Sequence, residues 1–253
     1  MSDKKYNHIL ENPILTDIGY FHYIKTKDYD TFNNVIGVVN LDKVALVNYF
    51  KKLTEGNSQF QPFLDIVTEF DMFSFIRYCG LPEYKGTFIS ELNEQYVELF
   101  KFCTKCNNSI VFELIKSDED FQEYLDLIRK MNGIPYEPTS PNPEIERRNQ
   151  LTRKLAEMKN EGVDFECMFT SVCVDLKKTP TEVGEISLYA FYKLFSRIGQ
   201  FKHYDSSVLF ATVSTEVKVE PWYKSDVVSK KENYITEDQL KSAIEQGSLQ
   251  SDL

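Results

Sequence analysis

Residues 186–223 read ISLYAFYKLFSRIGQFKHYDSSVLFATVSTEVKVEPWY and contain the only tryptophan of the chain. In the first half of this stretch, apolar side chains recur every three or four residues after Ser187, a good helix N-cap. This spacing predicts a helix of about three turns that stops before Gly199. The apolar stripe consists of Leu188, Phe191, Tyr192, Phe195 and Ile198. Further on, valines alternate with charged residues, which predicts an extended segment near 208–220 that is closed by Trp222.

The composition indicates one large or two modest globular domains. The chain has 253 residues, which is enough to bury a substantial core. Its 29 basic and 39 acidic residues give a net charge of -10, which disfavours binding to nucleic acids or to an anionic membrane. Since no segment has the apolar length of a membrane span or the apolar core of a secretory signal, we expect a soluble cytosolic protein.

Apolar periodicity elsewhere predicts a mainly α fold, with α+β character only at its margins. Short strands are expected near 14–24 and 110–115 as well as near 208–220, and the first of these is a hairpin around Asp17–Gly19. A single long helix is expected between Ser58 and Gly80. One side of the hairpin segment carries Ile18, Tyr20, His22 and Ile24 in period two.

A proline-rich stretch follows the most clearly marked helix of the chain. Ser117 is the expected N-cap of that helix, acidic residues crowd its first turn, and Gly133 follows its last turn. The segment IPYEPTSPNPE then holds four prolines and predicts an extended linker. The resulting domains are a mostly helical N-terminal domain at 1–133, a linker at 134–143, a C-terminal helical module at 144–225 and a flexible polar tail at 226–253.

The cysteines and histidines show no pattern that is typical of a metal site or of catalysis. The C-x-x-C pair of Cys103 and Cys106 comes at the end of a predicted helix, and no second pair accompanies it. A structural zinc site needs four ligands, and a redox pair is expected at a helix start. We therefore predict structural cysteines, no metal and no cofactor. Because phosphate-loop, zincin and nucleophile-elbow motifs are also absent from the sequence, we expect the protein not to be an enzyme.

The three helices predicted between Asp164 and Tyr204 resemble a helix-turn-helix in their order. The third carries basic Lys193, Arg197 and Lys202, opposite in sign to the chain as a whole. A recognition helix exposes polar and basic side chains to the DNA groove, whereas this one is aromatic over most of its face. A helical DNA-binding regulator is therefore a further alternative rather than the leading interpretation.

Three segments together resemble tail-associated proteins, including tail assembly chaperones, of bacteriophages that infect Gram-positive bacteria. They are DFQEYLDLIRKMNGI at 120–134 with the linker that follows it, the charged helix ERRNQLTRKLAEMKNE, and the aromatic EISLYAFYKLFSRIGQFKHYDSSVLFATV with KVEPWYKS after it. The resemblance spans roughly residues 110–225 and, more faintly, Pro13 to Val47. The polar tail after Lys224 departs from that pattern.

The resemblance implies a non-catalytic viral protein of tail assembly and virion morphogenesis that works in the host cytoplasm. It would bind a phage tail component, such as the tape-measure protein, and keep it soluble. The alternative is a structural virion subunit of the neck, tail or baseplate, and a homo-oligomer is compatible with either. Phe191, Tyr192, Phe195 and Trp222 are the predicted partner-binding residues if they are exposed. Each of them, taken singly, is more typical of a buried core.

Overall fold

The computed structural model describes residues 8–159 and 163–214 together with Val219 and Trp222. Within these residues the chain forms eleven α-helices and one two-stranded sheet, which confirms the mainly α fold. The helices are α1 (Tyr29–Ile36), α2 (Lys43–Gly56), α3 (Gln61–Glu69), α4 (Met72–Cys79), α5 (Phe88–Thr104), α6 (Ile110–Glu113), α7 (Asp118–Asn132), α8 (Pro143–Lys159), α9 (Phe165–Leu176), α10 (Pro180–Gly184) and α11 (Leu188–Ala211).

The predicted hairpin exists, but only Ile18 and Ile24 of the four side chains predicted on one side are buried. Strands β1 (Ile14–Thr16) and β2 (Gly19–Phe21) pair antiparallel, with Ile14 opposite Phe21. Phe21 at the end of β2 and Tyr23 just beyond it are also buried, whereas Tyr20 is more than half exposed. The choice of face is a tertiary effect, because Phe21 stacks on Tyr124 at 5.7 Å between ring centroids.

The strand predicted near 110–115 is wrong, since Ile110–Glu113 form the short helix α6. Its adjacent residues Val111 and Phe112 are both buried, while Ile110 is exposed. Neighbouring residues of a strand point to opposite faces, whereas a helical turn can bury two successive side chains against one core. Burial therefore overrides the β-branched composition of this segment.

The strand predicted near 208–220 is also wrong over the part that the structure describes. Helix α11 does not stop at Gly199 but continues to Ala211. Apart from its own helix backbone and chain neighbours, no heavy atom of the described residues lies within 4 Å of the place where a Cβ would stand on Gly199. A glycine in a helix costs about 1 kcal/mol, which is too little to end a long helix. Beyond residue 214, the predicted segment lies outside the described residues apart from Val219, which is not in a strand, and Trp222.

The single helix predicted between Ser58 and Gly80 is two helices, α3 and α4. Phe70 has an extended conformation at the end of α3, and the side chain of Asp71 accepts a hydrogen bond from the Ser74 N–H at 2.7 Å. Asp71 is therefore an N-cap that starts a new helix within an apolar run. In contrast, 88–104 forms the single helix α5.

By its internal contacts the chain divides into two compact units, which differ from the predicted domains. The first unit contains Met1–Pro138 with Phe169–Ile198, and the second contains Thr139–Met168 with Gly199–Leu253. Residues 169–198 belong with the N-terminal part because Lys25 and Ser187 form an antiparallel bridge. The Thr26 N–H donates to the Ile186 carbonyl, and the Leu188 N–H to the Ile24 carbonyl, both at 2.8 Å.

The core of the first unit is a cluster of aromatic rings, which we call the first-unit aromatic core. Phe121 of α7 stacks on Phe73 at 5.2 Å and lies edge-on to Tyr96 at 5.3 Å. Such offset and edge-on pairs add attraction beyond the apolar area that they bury. The cluster consists of Phe21, Phe73, Tyr96, Phe100, Phe112, Phe121 and Tyr124, all of which are buried.

The first unit also contains a buried arginine, Arg129. Arg129 of α7 donates from Nε to the Val39 carbonyl at 2.9 Å and also from Nη2 to the same oxygen. Its Nη1 lies 2.5 Å from the Asp126 carboxylate, and its guanidinium lies 4.0 Å from the centre of the Tyr136 ring. Since the positive charge has a carboxylate, a carbonyl and an aromatic face around it, its burial is compensated.

Candidate protein-binding surfaces

Phe191, the first of the predicted partner-binding residues, belongs to the core. It is fully buried in the first unit. Its ring contacts Phe169 at 6.2 Å and Tyr192 at 5.5 Å between centroids. A side chain without solvent exposure cannot present a surface to a partner. Phe191 instead packs α11 against Phe169 of α9.

Tyr192 is half-buried and lines an apolar cleft of the first unit with a volume of about 280 Å³. Burial raises the pKa of the Tyr192 hydroxyl to about 12, with further contributions from Tyr29. Like an ordinary tyrosine hydroxyl, it is neutral at physiological pH and can act as a hydrogen-bond donor. The cleft lies between α1, the end of α7 and the start of α11; its lining comprises Tyr29, Phe32, Asn33, Ile36, 132–135, Leu188 and Tyr192.

Hydrogen bonds of Asn132 hold the wall of this cleft at the end of α7. Asn132 accepts a hydrogen bond from the Ile24 N–H at 3.2 Å and donates one to the Ile128 carbonyl at 2.9 Å. Gly133 ends the helix in the left-handed conformation, with φ of 66°, as its place after the helix predicts. The ring of Tyr189 would lie 3.5 Å from a Cβ at this position.

The other two predicted residues lie in different units. Phe195 belongs to the first unit and is half-buried. Trp222 belongs to the second unit, where its ring lies 4.4 Å from that of Phe201. Phe201 was not among the predicted partner-binding residues. Its position beside the basic Lys202 is a sequence signal for a partly exposed helix.

The most exposed apolar surface of the second unit is the end of α11, a region that the prediction assigned to a strand. Leu209 is 67% exposed, Phe210 is 60% exposed, and Val213 just after the helix is 81% exposed. We call this surface the α11 apolar end; it comprises Phe201, Val208, Leu209, Phe210 and Val213. Several exposed apolar side chains on one helix end are typical of a site that another protein covers. It could have been found by extending the helical pattern past Gly199.

Burial shifts the pKa values of a cysteine and a histidine of the first unit. Cys103 is buried at the end of α5, and burial raises the pKa of its thiol above the ordinary value. His8 lies 2.7 Å from the Tyr23 hydroxyl, and burial and nearby Lys130 lower the pKa of its imidazole. Among the residues that the structure describes, no group of three histidine, cysteine or acidic side chains could hold a metal ion.

None of the described helices is long and apolar enough to cross a lipid bilayer.

The run of α9, α10 and α11 has the predicted order of a long, a short and a long helix. Thr179 caps α10 in a capping box with Glu182, as its sequence predicts. However, α11 is more than 20 residues long and carries exposed apolar side chains at its end, unlike a helix that reads a DNA groove.

Comparison with known proteins gives two matches. The model of the YomV N-terminal domain family matches residues 2–141, which is more than half of the chain. The match ends within the predicted proline-rich linker. The SPbeta prophage-derived protein YomV of Bacillus subtilis (strain 168) is 25% identical over 234 residues, which cover 92% of this chain and 93% of that protein. No solved structure matches. The prophage-derived relative in a Gram-positive bacterium supports the expectation of a phage protein. Neither description mentions tail proteins.

Proposed function

The chain belongs to the YomV N-terminal domain family, and we propose that it is a non-catalytic phage protein that acts by binding another phage protein. The proposed role is that of a tail assembly chaperone in the host cytoplasm, and the proposed partner is a tail component such as the tape-measure protein. The prophage-derived relative, which is similar along nearly its whole length, supports a phage role. The tail assignment comes from the resemblance of the linker, the charged helix and the aromatic helix to tail-associated proteins.

The α11 apolar end is the observation that carries this proposal. Leu209, Phe210 and Val213 expose most of their apolar surface to water. Covering apolar surface contributes roughly 25 cal/mol per Å², so a partner that packs on these side chains gains affinity from them. A chaperone that holds an apolar helical protein needs a surface of this kind.

A structural virion subunit is the second candidate, and the same surface favours it. In that case a neighbouring subunit would cover Leu209 and Phe210 permanently in the mature particle. The two candidates differ in their fate, since a chaperone leaves the assembly whereas a subunit stays. They therefore make opposite predictions about the composition of purified virions.

A pull-down of the tagged full chain from phage-producing cells, run beside mass spectrometry of purified virions, tests both candidates. Recovery of a tail protein together with absence from virions supports the chaperone role. Abundance in virions would replace that role with the structural one. Recovery of no phage protein, combined with absence from virions, would overturn both.

Two variants show whether the α11 apolar end mediates the capture. Leu209→Lys places a charge in this surface and is expected to reduce recovery of the partner at least tenfold. Thr152→Lys adds the same charge at an exposed polar position of α8 in the same unit and is the matched control. Equal recovery with both variants would show that the partner binds elsewhere.

A further inference from the structure

The first unit has a second apolar groove, formed by α2, α4 and α5, with a volume of about 420 Å³. Its floor consists of Leu46, Phe50, Cys79 and Ile89, all of which are buried. The proposed function does not use this groove, because none of its lining residues comes from α11. A volume of this size can accept two or three apolar side chains.

Two helical ridges form the walls of the groove. One wall is a ridge with a residue at every fourth position: Leu41 just before α2, then Ala45 and Tyr49 within it. The opposite wall is a ridge of α5 with Phe88 and Leu92 at the same interval. Ridges at this spacing are the surfaces into which the side chains of another helix pack. The shape of the groove therefore fits a helix better than an extended chain.

The rim of the groove is aromatic and exposed. Tyr49 is 49% exposed and Phe88 is 42% exposed. The Phe88 ring lies edge-on to Phe60, with 5.6 Å between the ring centroids. Exposed aromatic rings around an apolar floor are typical of the residues that dominate the energy of protein interfaces.

One wall carries a single charge. Glu91 of α5 is the only charged residue that lines the groove, and it is exposed. None of the ion pairs between described residues involves Glu91. A partner with a lysine or arginine at this point would find an acidic counterpart, whereas an acidic partner would be repelled.

We propose that this groove binds an amphipathic helix of a partner protein, which presents apolar side chains at positions i, i+3 or i+4, and i+7, and a basic side chain to Glu91. This is the helix-in-groove mode of recognition. The interaction is independent of the α11 apolar end. It gives the protein a second binding site with a preference for basic amphipathic helices.

The test uses the full chain and two fluorescein-labelled synthetic helices of eighteen residues. Both have leucine at the apolar positions, and one has lysine while the other has glutamate on the flanks. Fluorescence anisotropy is expected to show tighter binding of the lysine peptide. Ala45→Trp fills the groove and is expected to weaken binding of the lysine peptide at least tenfold. Gln61→Trp adds the same ring at an exposed position of α3 and serves as the control.

Charge reversal gives a second readout. Glu91→Lys is expected to weaken binding of the lysine peptide about threefold and to strengthen binding of the glutamate peptide by a similar factor, as for an exposed ion pair. Glu113→Lys makes the same change at an exposed site outside the groove and should leave both affinities unchanged. The melting temperatures of the variants show that they fold.

Undiminished binding of the lysine peptide to Ala45→Trp would overturn the proposal. So would a ratio of the two peptide affinities that is the same in wild type and in Glu91→Lys. Leu209→Lys should leave peptide binding unchanged. If Leu209→Lys abolishes peptide binding instead, the peptide binds at the α11 apolar end and the groove proposal fails. If the protein binds the lysine peptide as expected but captures no phage protein in cells, the groove proposal stands and only the proposed function fails.

Discussion

Phenylalanine has opposite surroundings in two regions of this molecule. In the first-unit aromatic core, Phe121 is fully buried between rings of four other aromatic residues. At the α11 apolar end of the second unit, Phe210 keeps most of its surface in water. The residue type is the same, and only the elements packed around it differ. The comparison teaches that aromatic content alone does not distinguish a core from a binding surface.

The largest effect is expected in the first-unit aromatic core. Phe121→Ala should lower the free energy of unfolding by about 4 kcal/mol, because it removes apolar burial and leaves a cavity. Urea denaturation followed by circular dichroism measures this loss. A loss below about 1 kcal/mol would break the comparison, since Phe121 would then not differ energetically from an exposed phenylalanine.

Arg129→Met is expected to lower the free energy of unfolding by about 2 kcal/mol. The substitution keeps the apolar stem but leaves the buried carbonyl of Val39 without the donors that it has now. Lys130→Met, at the neighbouring exposed position, is the control and should change stability by less than about 0.5 kcal/mol. Similar melting temperatures for the two variants would mean that the first unit depends on its rings alone.

A smaller and pH-dependent effect is expected at Glu11. Its carboxylate lies 2.5 Å from Lys25 Nζ and accepts a hydrogen bond from the Ser187 N–H at 2.9 Å, so it links the hairpin region to the start of α11. Burial alone would raise the pKa of Glu11, but the hydrogen bonds from Lys25 and Ser187 outweigh it and lower the pKa. A lowered pKa stabilises the folded state above the pKa of the unfolded chain and loses this contribution as pH falls.

Glu11→Gln should therefore destabilise the protein at pH 7 by about 0.5 kcal/mol, the size of a solvent-screened ion pair. The difference from wild type should shrink as the pH falls from about 5 to 3. Melting temperatures of both proteins across this range measure the effect. A difference that stays constant with pH would show that the charge of Glu11 does not contribute.

The smallest effect on stability is expected at the α11 apolar end. Phe210→Ser should change the free energy of unfolding by less than about 0.5 kcal/mol, because little apolar burial is lost at an exposed position. The same variant should bind less of a dye that reports exposed apolar surface, such as anilinonaphthalene sulfonate. Destabilisation beyond about 1 kcal/mol would instead place Phe210 in a packed environment and remove the contrast with Phe121.

The elements that the sequence predicts correctly are those in which all local signals agree. Helix α7 has a capping serine, acidic residues in its first turn and Gly133 after its last turn, and it begins and ends where these signals indicate. The break between α3 and α4 was missed because an apolar run continues across it, although Asp71 was a usable N-cap signal. The sequence misplaces the end of α11 because Gly199 has the features of a helix stop, although the helix continues to Ala211.

The candidate surfaces could be predicted only in part. Aromatic composition pointed to α11, and Tyr192 does line a cleft, but Phe191 is buried. Which side of a helix faces water depends on elements distant in the chain, such as Phe169 for Phe191. The groove of α2, α4 and α5 had no sequence signal at all, because three separate helices create it.

The left-handed Gly133 at the end of α7 limits how this family can vary. A side chain at this position would adopt an unfavourable backbone conformation and approach the ring of Tyr189. Among related chains that keep the cleft, natural selection should therefore retain glycine here or accept only asparagine, while the exposed cleft residues are free to diverge with their ligands. Position 133 thus becomes a marker by which relatives that share this cleft can be sorted from those that have lost it.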